Sequence, residues 1–435
     1  MLKKHLFLLF ILCGNSLILA ATVDLNLKGA LDRAPEANFQ ILLSEQGLVV
    51  QEEATRSARS GLLPQVSLQA SQGRSMNPTV DAFSAALPGA KKRYFNDRFD
   101  ALLRARLSLV NTRTWDDWKI SKLTLQATRL QLDNTVQEVL RSIGLAYFAH
   151  WRNQRRLDVI DANLERDRLL LRIARDQQDA GVATDLDVTR AEVRLATNEL
   201  ARLQQETTLM DSSLRLKRIL NISLDNQLNL VREAFDIELA ELDYDRSGLA
   251  DVLEKRPDYR RLQTELERES LALRASKRDR LPSLDLTGEW GLASESWSDS
   301  MEEQWAVGIG LSMPIFEGFR LDAQKRAAAA ALRQKELELE DLTAQIEADY
   351  RLALQTMESG FRRVEVARRA VALNEREFEL SRIRFEEGVA DNSDVVDAQA
   401  NLADAEDALV EAEYQYAQAR INLAYVEGDV RAILQ

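Results

Sequence analysis

Cysteine, histidine, proline and aromatic side chains are scarce in this chain of 435 residues, which has one Cys, two His, seven Pro and 6% aromatics. The N-terminus removes most of what little there is. Lys3 and Lys4 form a basic end, an apolar run extends from Leu6 to Leu19, and the small residues Ala20 and Ala21 follow, the layout of a secretory signal peptide over residues 1–21. Cleavage there takes Cys13 and His5 with it and leaves a mature chain without cysteine, its one histidine being His150. Disulfides, thiolate metal sites, His-rich zinc sites and His-dependent triads then lack their residues, so no cofactor and no structural metal are expected. Lipid attachment is not expected either, since bulky Leu12 precedes Cys13. Net charge is −13 and no basic cluster exceeds Lys91-Lys92-Arg93, which argues against nucleic acid as a ligand. Past the signal there is no run of about 18 apolar residues, the length a membrane helix needs, so any crossing of a membrane has to use strands.

What the sequence does have is an internal repeat. Gly181-Val182-Ala183 recurs as Gly388-Val389-Ala390 and Asp187-Val188 as Asp394-Val395, both at an offset of 207. Leu63-Pro64 recurs as Leu281-Pro282 at 218, and Leu107-Ser108 as Leu311-Ser312 at 204. Two copies of about 200 residues suit a pseudo-symmetric tube better than a solenoid of short units. The first repeat is expected over 22–220 and the second over 248–435, with a connector at 221–247. Gly73, Pro78, Pro88 and Gly89 mark an exposed loop in the first half.

Each half reads helix, strand, loop, strand, long helix, tight turn, long helix. An Ala/Glu-rich helical segment from Val23 to about Gly61 is stopped by Leu63-Pro64. Val66, Leu68 and Ala70 then alternate with Ser67, Gln69 and Ser71, and Phe99, Ala101, Leu103, Ala105, Leu107 and Leu109 alternate with Asp100, Arg104, Arg106 and Ser108. In the second half Leu284, Leu286, Trp290 and Leu292 alternate with Asp285, Thr287 and Glu289, while Trp305, Val307, Ile309 and Leu311 alternate with Ala306, Gly308, Gly310 and Ser312. This period of two predicts four strands, at about 65–75, 98–110, 283–293 and 303–313, of a length that crosses a bilayer when tilted. Four strands cannot enclose a lumen, so identical subunits have to contribute, and three copies give twelve. Tyr94, Phe95, Trp290, Trp297 and Trp305 lie near strand ends or loops, where aromatics anchor at a membrane interface, although packing explains each one equally well.

Between Arg113 and Asp179 there is no proline and only Gly144, and between Leu321 and Glu387 none and only Gly360. Each stretch can be one helix of about 65 residues, roughly 100 Å long at 1.5 Å per residue. Small and apolar positions such as Leu130, Ile143 and Leu164, or Ala327 to Ala331, Leu337 and Ile346, suit lateral packing in a coiled-coil wall. Gly181 and Gly388 can supply the left-handed residue that ends such a helix. Each half therefore carries a long antiparallel helical hairpin, at about 113–220 and 319–430. The expected class is mainly α with a β-barrel part.

These residues resemble the TolC-like outer membrane efflux protein family over nearly the whole mature chain. The likeness rests on Ala30-Leu31 through Pro35-Glu36, the two Leu-Pro strand starts, Arg256-Pro257-Asp258, and Pro314-Ile315-Phe316-Glu317-Gly318 at a strand-to-helix junction, in this order within the repeat. It implies a homotrimer with a twelve-stranded barrel in outer-membrane lipid, a helical tunnel through the periplasm and an equatorial belt including roughly Asn221 to Ser247. It further implies a passive exit duct, not an enzyme, serving a tripartite efflux pump or a type I secretion system through a periplasmic adaptor and an inner-membrane pump or ABC transporter. Docking is expected at the hairpin tips, Gly181, Val182 and Ala183 with Gly388, Val389 and Ala390. Asp394 and Asp397 match two aspartates that the family turns toward the pore, where three copies would form two carboxylate rings. Asp187 matches an acid of the family's closing lock, but Phe385 and Ala390 stand where the lock has tyrosine and arginine, and Val110-Asn111-Thr112 lacks the junction motif of the second half. Helix-dipole stabilisation explains acids at Asp187 and Asp394 equally well. Two other readings stay open: a periplasmic coiled-coil scaffold without a pore, and, much weaker, a hydrolase using an acid pair such as Asp116-Asp117, whose side chains point apart on a helix.

Overall fold

The computed structural model describes residues 22–75, 96–231, 248–387, 389 and 392–434. The expected signal peptide, the loop marked by Pro78, Pro88 and Gly89, Tyr94 and Phe95, the connector beyond Val231, and Gly388 and Ala390 lie outside the described residues.

Each half builds two strands and then a hairpin of very unequal arms. In the first, β1 (Thr22–Leu25), α1 (Leu27–Ala37) and α2 (Phe39–Ser60) lead to β2 (Gln65–Ser75) and β3 (Asn96–Val110), followed by α3 (Thr112–Asp179) and α4 (Asp185–Ile219). After β4 (Gln227–Leu230), the second has α5 (Leu249–Lys255), α6 (Pro257–Arg278), β5 (Ser283–Ser294), β6 (Glu302–Ser312), α7 (Arg320–Glu386) and α8 (Asn392–Val426), closing on a 3-10 turn at Val430–Leu434. With 68 and 67 residues, α3 and α7 are each about 100 Å long. No described helix is long and apolar enough to cross a membrane.

The expected single helix from Val23 to Gly61 is three elements instead. Thr22–Leu25 pairs in parallel with Gln227–Leu230. Asn26 and Asn38 then each cap a new helix: the Asn26 side chain accepts from Gly29 N at 2.7 Å, and that of Asn38 from Gln40 N at 2.9 Å. Local amide-backbone bonds of this kind compete with helix continuation, which is why an Ala/Glu-rich pattern does not guarantee one rod.

The main sheet has the order β2-β3-β5-β6, antiparallel throughout. Below it the helices keep the same lateral order, α2-α3-α6-α7, and further down the order becomes α4-α3-α8-α7. The chain is thus a strip, with α3 and α8 central and α4 and α7 at the flanks.

Two buried clusters fix the strip at mid-height. One joins α1, α3, the end of α4 and the end of α8 through Leu31, Ile143, Phe148, Leu216 and Ile421. The other joins α5, α7 and α8 through Val252, Ile346, Tyr350, Tyr416 and Leu423. At the same height each half splices two helices end to end. Asn38 at the start of α2 donates from Nδ2 to the last carbonyl of α4, Ile219 O, at 2.9 Å. Arg256 at the start of α6 donates from Nη1 to the last carbonyl of α8, Val426 O, at 3.1 Å. The two donors differ by the 218-residue offset and the two acceptors by 207, so the repeat keeps the joint while changing its chemistry. Burial opposes ionisation of Asp258, but the Arg256 guanidinium, at 2.6 Å, keeps its carboxyl below the usual carboxylate range.

Candidate functional site

The sheet has its polarity reversed relative to a soluble protein. Register places Leu68 opposite Leu103, Leu103 opposite Trp290, and Trp290 opposite Trp305, so one face is a continuous apolar surface. Leu68, Leu103, Trp290, Trp305, Val307, Ile309 and Leu311 on that face are all exposed. The opposite face carries ion pairs that cross between the halves, Arg104 to Glu289 and Arg106 to Asp285, both at 3.0 Å. Charge inside and hydrocarbon outside is the pattern of a barrel wall standing in lipid. The indole N–H of Trp290 donates to Glu303 at 2.7 Å, leaving an apolar ring with a wet end, the habit of interfacial aromatics. Among the described residues β2 and β6 end the sheet, and their outer edges have no partner strand.

The flanks below are unpartnered in the same way. On α4, Leu186, Val193 and Leu200 recur every seven residues, as do Leu203 and Met210, and all are exposed. On α7, Val366, Leu373 and Leu380 keep the same spacing, Leu352 lies two heptads before Val366, and all four are exposed. Such heptad stripes are the seams along which helices pack. The expected wall positions divide accordingly: Leu130, Ile143, Leu164 and Ile346 are buried within the chain, while Leu337 lies on the open surface of α7.

At the tip, α3 ends with Gly181 in the left-handed region at φ 75°, and Val182 and Ala183 turn the chain into α4. Val182 and Val389 are exposed. Asp187 occupies the third position of α4 and accepts from the Thr184 hydroxyl at 2.7 Å and the Thr184 amide at 2.9 Å. These two donors hold its carboxyl below the usual carboxylate range. The acid therefore closes its own helix cap. Asp394 and Asp397 lie three residues apart and are exposed on α8, beside the face that buries Val395, Ala398 and Leu402 in a cluster with Leu170 of α3 and Phe378 and Phe385 of α7. Phe385, at the family's tyrosine position, serves as core, and its carbonyl accepts from Gln177 Nε2 at 3.1 Å.

Sequence reasoning missed the seam between α3 and α8, which joins the two halves in the lower part of the strip as α3 and α6 do below the sheet. Arg156 grips Asp407 with two bonds of 2.6 and 2.7 Å, and Arg166 meets Glu406 at 2.6 Å. Between them and the tip, the Asp167 carboxylate is buried and accepts from Gln399 of α8 and from Asn198 and Arg194 of α4, at 2.5, 2.5 and 3.3 Å. Nothing in local spacing marks Asp167, because its partners are 27 to 232 residues away. Asp116, half of the acid pair weighed for hydrolysis, is buried and bound to Arg278 at 3.1 Å, while Asp117 pairs with Arg113 on the surface. Among the described residues no His/Cys/Asp/Glu group fit to hold a metal ion occurs.

Three comparisons bear on this geometry. The family model described as outer membrane efflux protein matches residues 30–221 and 248–428. The proteases secretion protein PrtF of Dickeya chrysanthemi is 24% identical, over 87% of this chain and 82% of that protein. The outer membrane protein TolC of Salmonella enteritidis is 23% identical, over 86% of this chain and 76% of its own length. In fold, the chain resembles the outer membrane protein VceC of Vibrio cholerae with a TM-score of 0.78 at 17% identity, covering 93% of this chain and 96% of that one.

Proposed function

Because the chain belongs to the outer membrane efflux protein family, we propose that three copies close a twelve-stranded barrel over a helical tunnel, gated at its periplasmic tip. The protein is an outer-membrane exit duct that extends into the periplasm. What carries the trimer reading is the open strip: sheet and helices share one lateral order, and both end in unpartnered apolar flanks. Pairing β6 of one copy with β2 of the next satisfies both sheet edges, and the stripe on α7 then meets the stripe on α4 of the next copy. Two copies would give eight strands, a barrel whose interior its own side chains fill, whereas twelve leave a passage. Trp290 and Trp305 anchor the outer surface at the membrane interface.

The conduit is passive. Its sequence contains no Gly-rich phosphate-binding loop, so energy comes from an inner-membrane pump or ABC transporter, engaged through a periplasmic adaptor that docks at Gly181, Val182 and Ala183 and at Gly388, Val389 and Ala390. The cargo is either small toxic molecules or a secreted polypeptide. Threefold symmetry turns the exposed Asp394 and Asp397 into two acid rings at the tip, which select cations and bind blocking divalent ions. Asp187, spent on its helix cap, supports the tip turn beside them.

Conductance of the purified protein in planar bilayers tests both levels of this reading. Cation-selective channels blocked by divalent ions are expected, with the block lost in an Asp394→Ala, Asp397→Ala variant. A protein that forms no channel overturns the duct, and a block that survives the double substitution overturns the acid gate.

A further inference from the structure

Of the four lateral seams that a closed ring would contain per copy, three exist within the chain, and only one of these, α3 against α6 under β3 and β5, joins the two halves. The fourth would set α7 and β6 of one copy against α2 and β2 of the next. It too joins a second half to a first half, so the repeat makes the α3/α6 seam its internal template.

At the template the joint between strand and helix is short and charged. β3 ends at Val110 and Asn111 caps α3, accepting from Arg113 N at 3.0 Å. Arg113 Nη1 then reaches Asp279 at 3.1 Å, and Arg278 Nη1 reaches the buried Asp116 at 3.1 Å, clamping the first turn of α3 to the last turn of α6. At the fourth seam α7 keeps an arginine and an acid in its first turn, Arg320 and Asp322, but Asp322 already meets Arg280 of its own copy at 2.6 Å, and α2 lacks counterparts of Arg278 and Asp279. The 218-residue offset puts Ser60 and Gly61 of α2 where α6 has Arg278 and Asp279.

The other side of that seam is altered to match. Six residues separate Ser312 from the cap of α7 at Phe319, whereas two separate Ser108 from the cap of α3 at Asn111. The longer joint forms an elbow that brings Phe316 and Phe319 edge to face, with ring centroids 5.6 Å apart. Phe319 holds φ 64°, a left-handed conformation that costs a bulky residue energy and persists only when something else requires it. None of the described residues covers the elbow: Ile315 is 94% exposed, Phe316 74% and Phe319 70%. On the α2 side the turn that replaces the charged pair presents Leu63, itself 52% exposed.

We propose that the Met313–Phe319 elbow of each copy packs over the Gly61–Pro64 turn of the next, an apolar joint standing where the internal seam has its charged clamp. The proposal rests on the trimer reading and specifies which residues lock the barrel to the tunnel between copies. Hydrocarbon chains of the periplasmic leaflet are the rival occupant of the elbow.

Disulfide trapping in isolated outer membranes distinguishes the possibilities, since Cys13 is the sequence's one cysteine and the test is run on the Cys13→Ser background. Leu63→Cys with Phe316→Cys probes the joint, and Ser67→Cys with Ser312→Cys, the pair that corresponds to Ser108 opposite Asp285 in the internal seam, probes the strand edges beside it. Within one copy each pair lies at opposite edges of the four-stranded sheet, about 14 Å or more apart at three strand spacings, beyond the roughly 7 Å reach of a disulfide. Any bond formed therefore links copies. Both pairs are expected to give covalent trimers on oxidation. Bonding of the edge pair without the joint pair overturns the joint, leaves the trimer standing and assigns the elbow to lipid. Failure of both overturns the ring and the joint together. A second variant, Phe319→Gly, relieves the left-handed backbone while deleting the ring. At least a tenfold loss of detergent-resistant trimer is expected, and trimer retained at the level of the parent overturns the joint.

Discussion

The centre of the helical strip and its flanks are built from different materials. Where α3 meets α8 and α4, the chain buries a carboxylate with three donors and lines the approach with arginine–acid pairs. On the outer faces of α4 and α7 the corresponding levels carry leucine and valine at heptad spacing. Buried polar groups demand specific partners, so they suit a contact whose members are on one chain and always present. Apolar stripes tolerate delay and gain most when water finally leaves, which suits a contact that forms only after folding. The two halves thus meet through a specified interior seam and leave a generic apolar one facing outward.

The sharpest way to break this comparison is at Asp167. Asp167→Ala strands the Gln399 amide and the Arg194 guanidinium, and a loss of roughly 3–5 kcal/mol is expected in denaturant unfolding of the detergent-solubilised protein. A loss below 1 kcal/mol would mean that the interior seam is not held by its polar groups.

Next in size is a pH effect centred on His150 of α3, which is buried and bonded through Nδ1 to the Ser212 hydroxyl of α4 at 3.0 Å. That hydroxyl donates to Leu209 O, so its oxygen accepts from a neutral imidazole carrying its proton on Nδ1. Burial, with the nearby Lys217 ammonium adding to it, pushes the His150 pKa down to about 4. The unfolded chain, with an ordinary value near 6.5, binds more protons between those limits. Stability is therefore complete above pH 6.5 and lost as the pH falls toward 4, by an amount on the order of 3 kcal/mol. Unfolding midpoints collected over that range should show the slope, and His150→Gln should flatten it.

The smallest effect on stability is expected at the flanks. Leu373→Glu should change unfolding of the isolated subunit by less than about 0.5 kcal/mol, because the site is exposed in one chain. Sedimentation should nevertheless show the proposed trimer replaced by single subunits. A large change in subunit stability without loss of assembly would erase the distinction between centre and flank.

How much of this is legible in the sequence follows from the range of the interactions. The α3 and α7 rods are readable because almost nothing interrupts them, and the sheet faces because Trp305 to Leu311 alternate throughout and Phe99 to Leu107 do so except at Leu102. The left-handed Gly181 is readable from its place between two helical patterns. By contrast, the four residues of β1 gain their strand geometry from β4, some 205 positions away, and composition alone reads them as helix. Asp167 is one acid among 70 Asp and Glu, distinguished by partners that only folding brings near. The tip is intermediate. Phe385 is recognisable as a departure from the family's tyrosine, but that it fills a core with Val395 and Leu402 depends on how α7 and α8 turn toward α3.

The end-to-end bonds from Asn38 to Ile219 and from Arg256 to Val426 also have a mechanical consequence. The descending arms, α3 and α7, are unbroken rods, whereas each ascending arm is two pieces held by a single side chain at one shared level. A load applied at the far end bends a jointed member where the ladder of backbone bonds is interrupted and leaves the pieces intact. In the proposed tube, flexure is thereby confined to a girdle at half height, and each wall segment above and below it moves as a stiff stave.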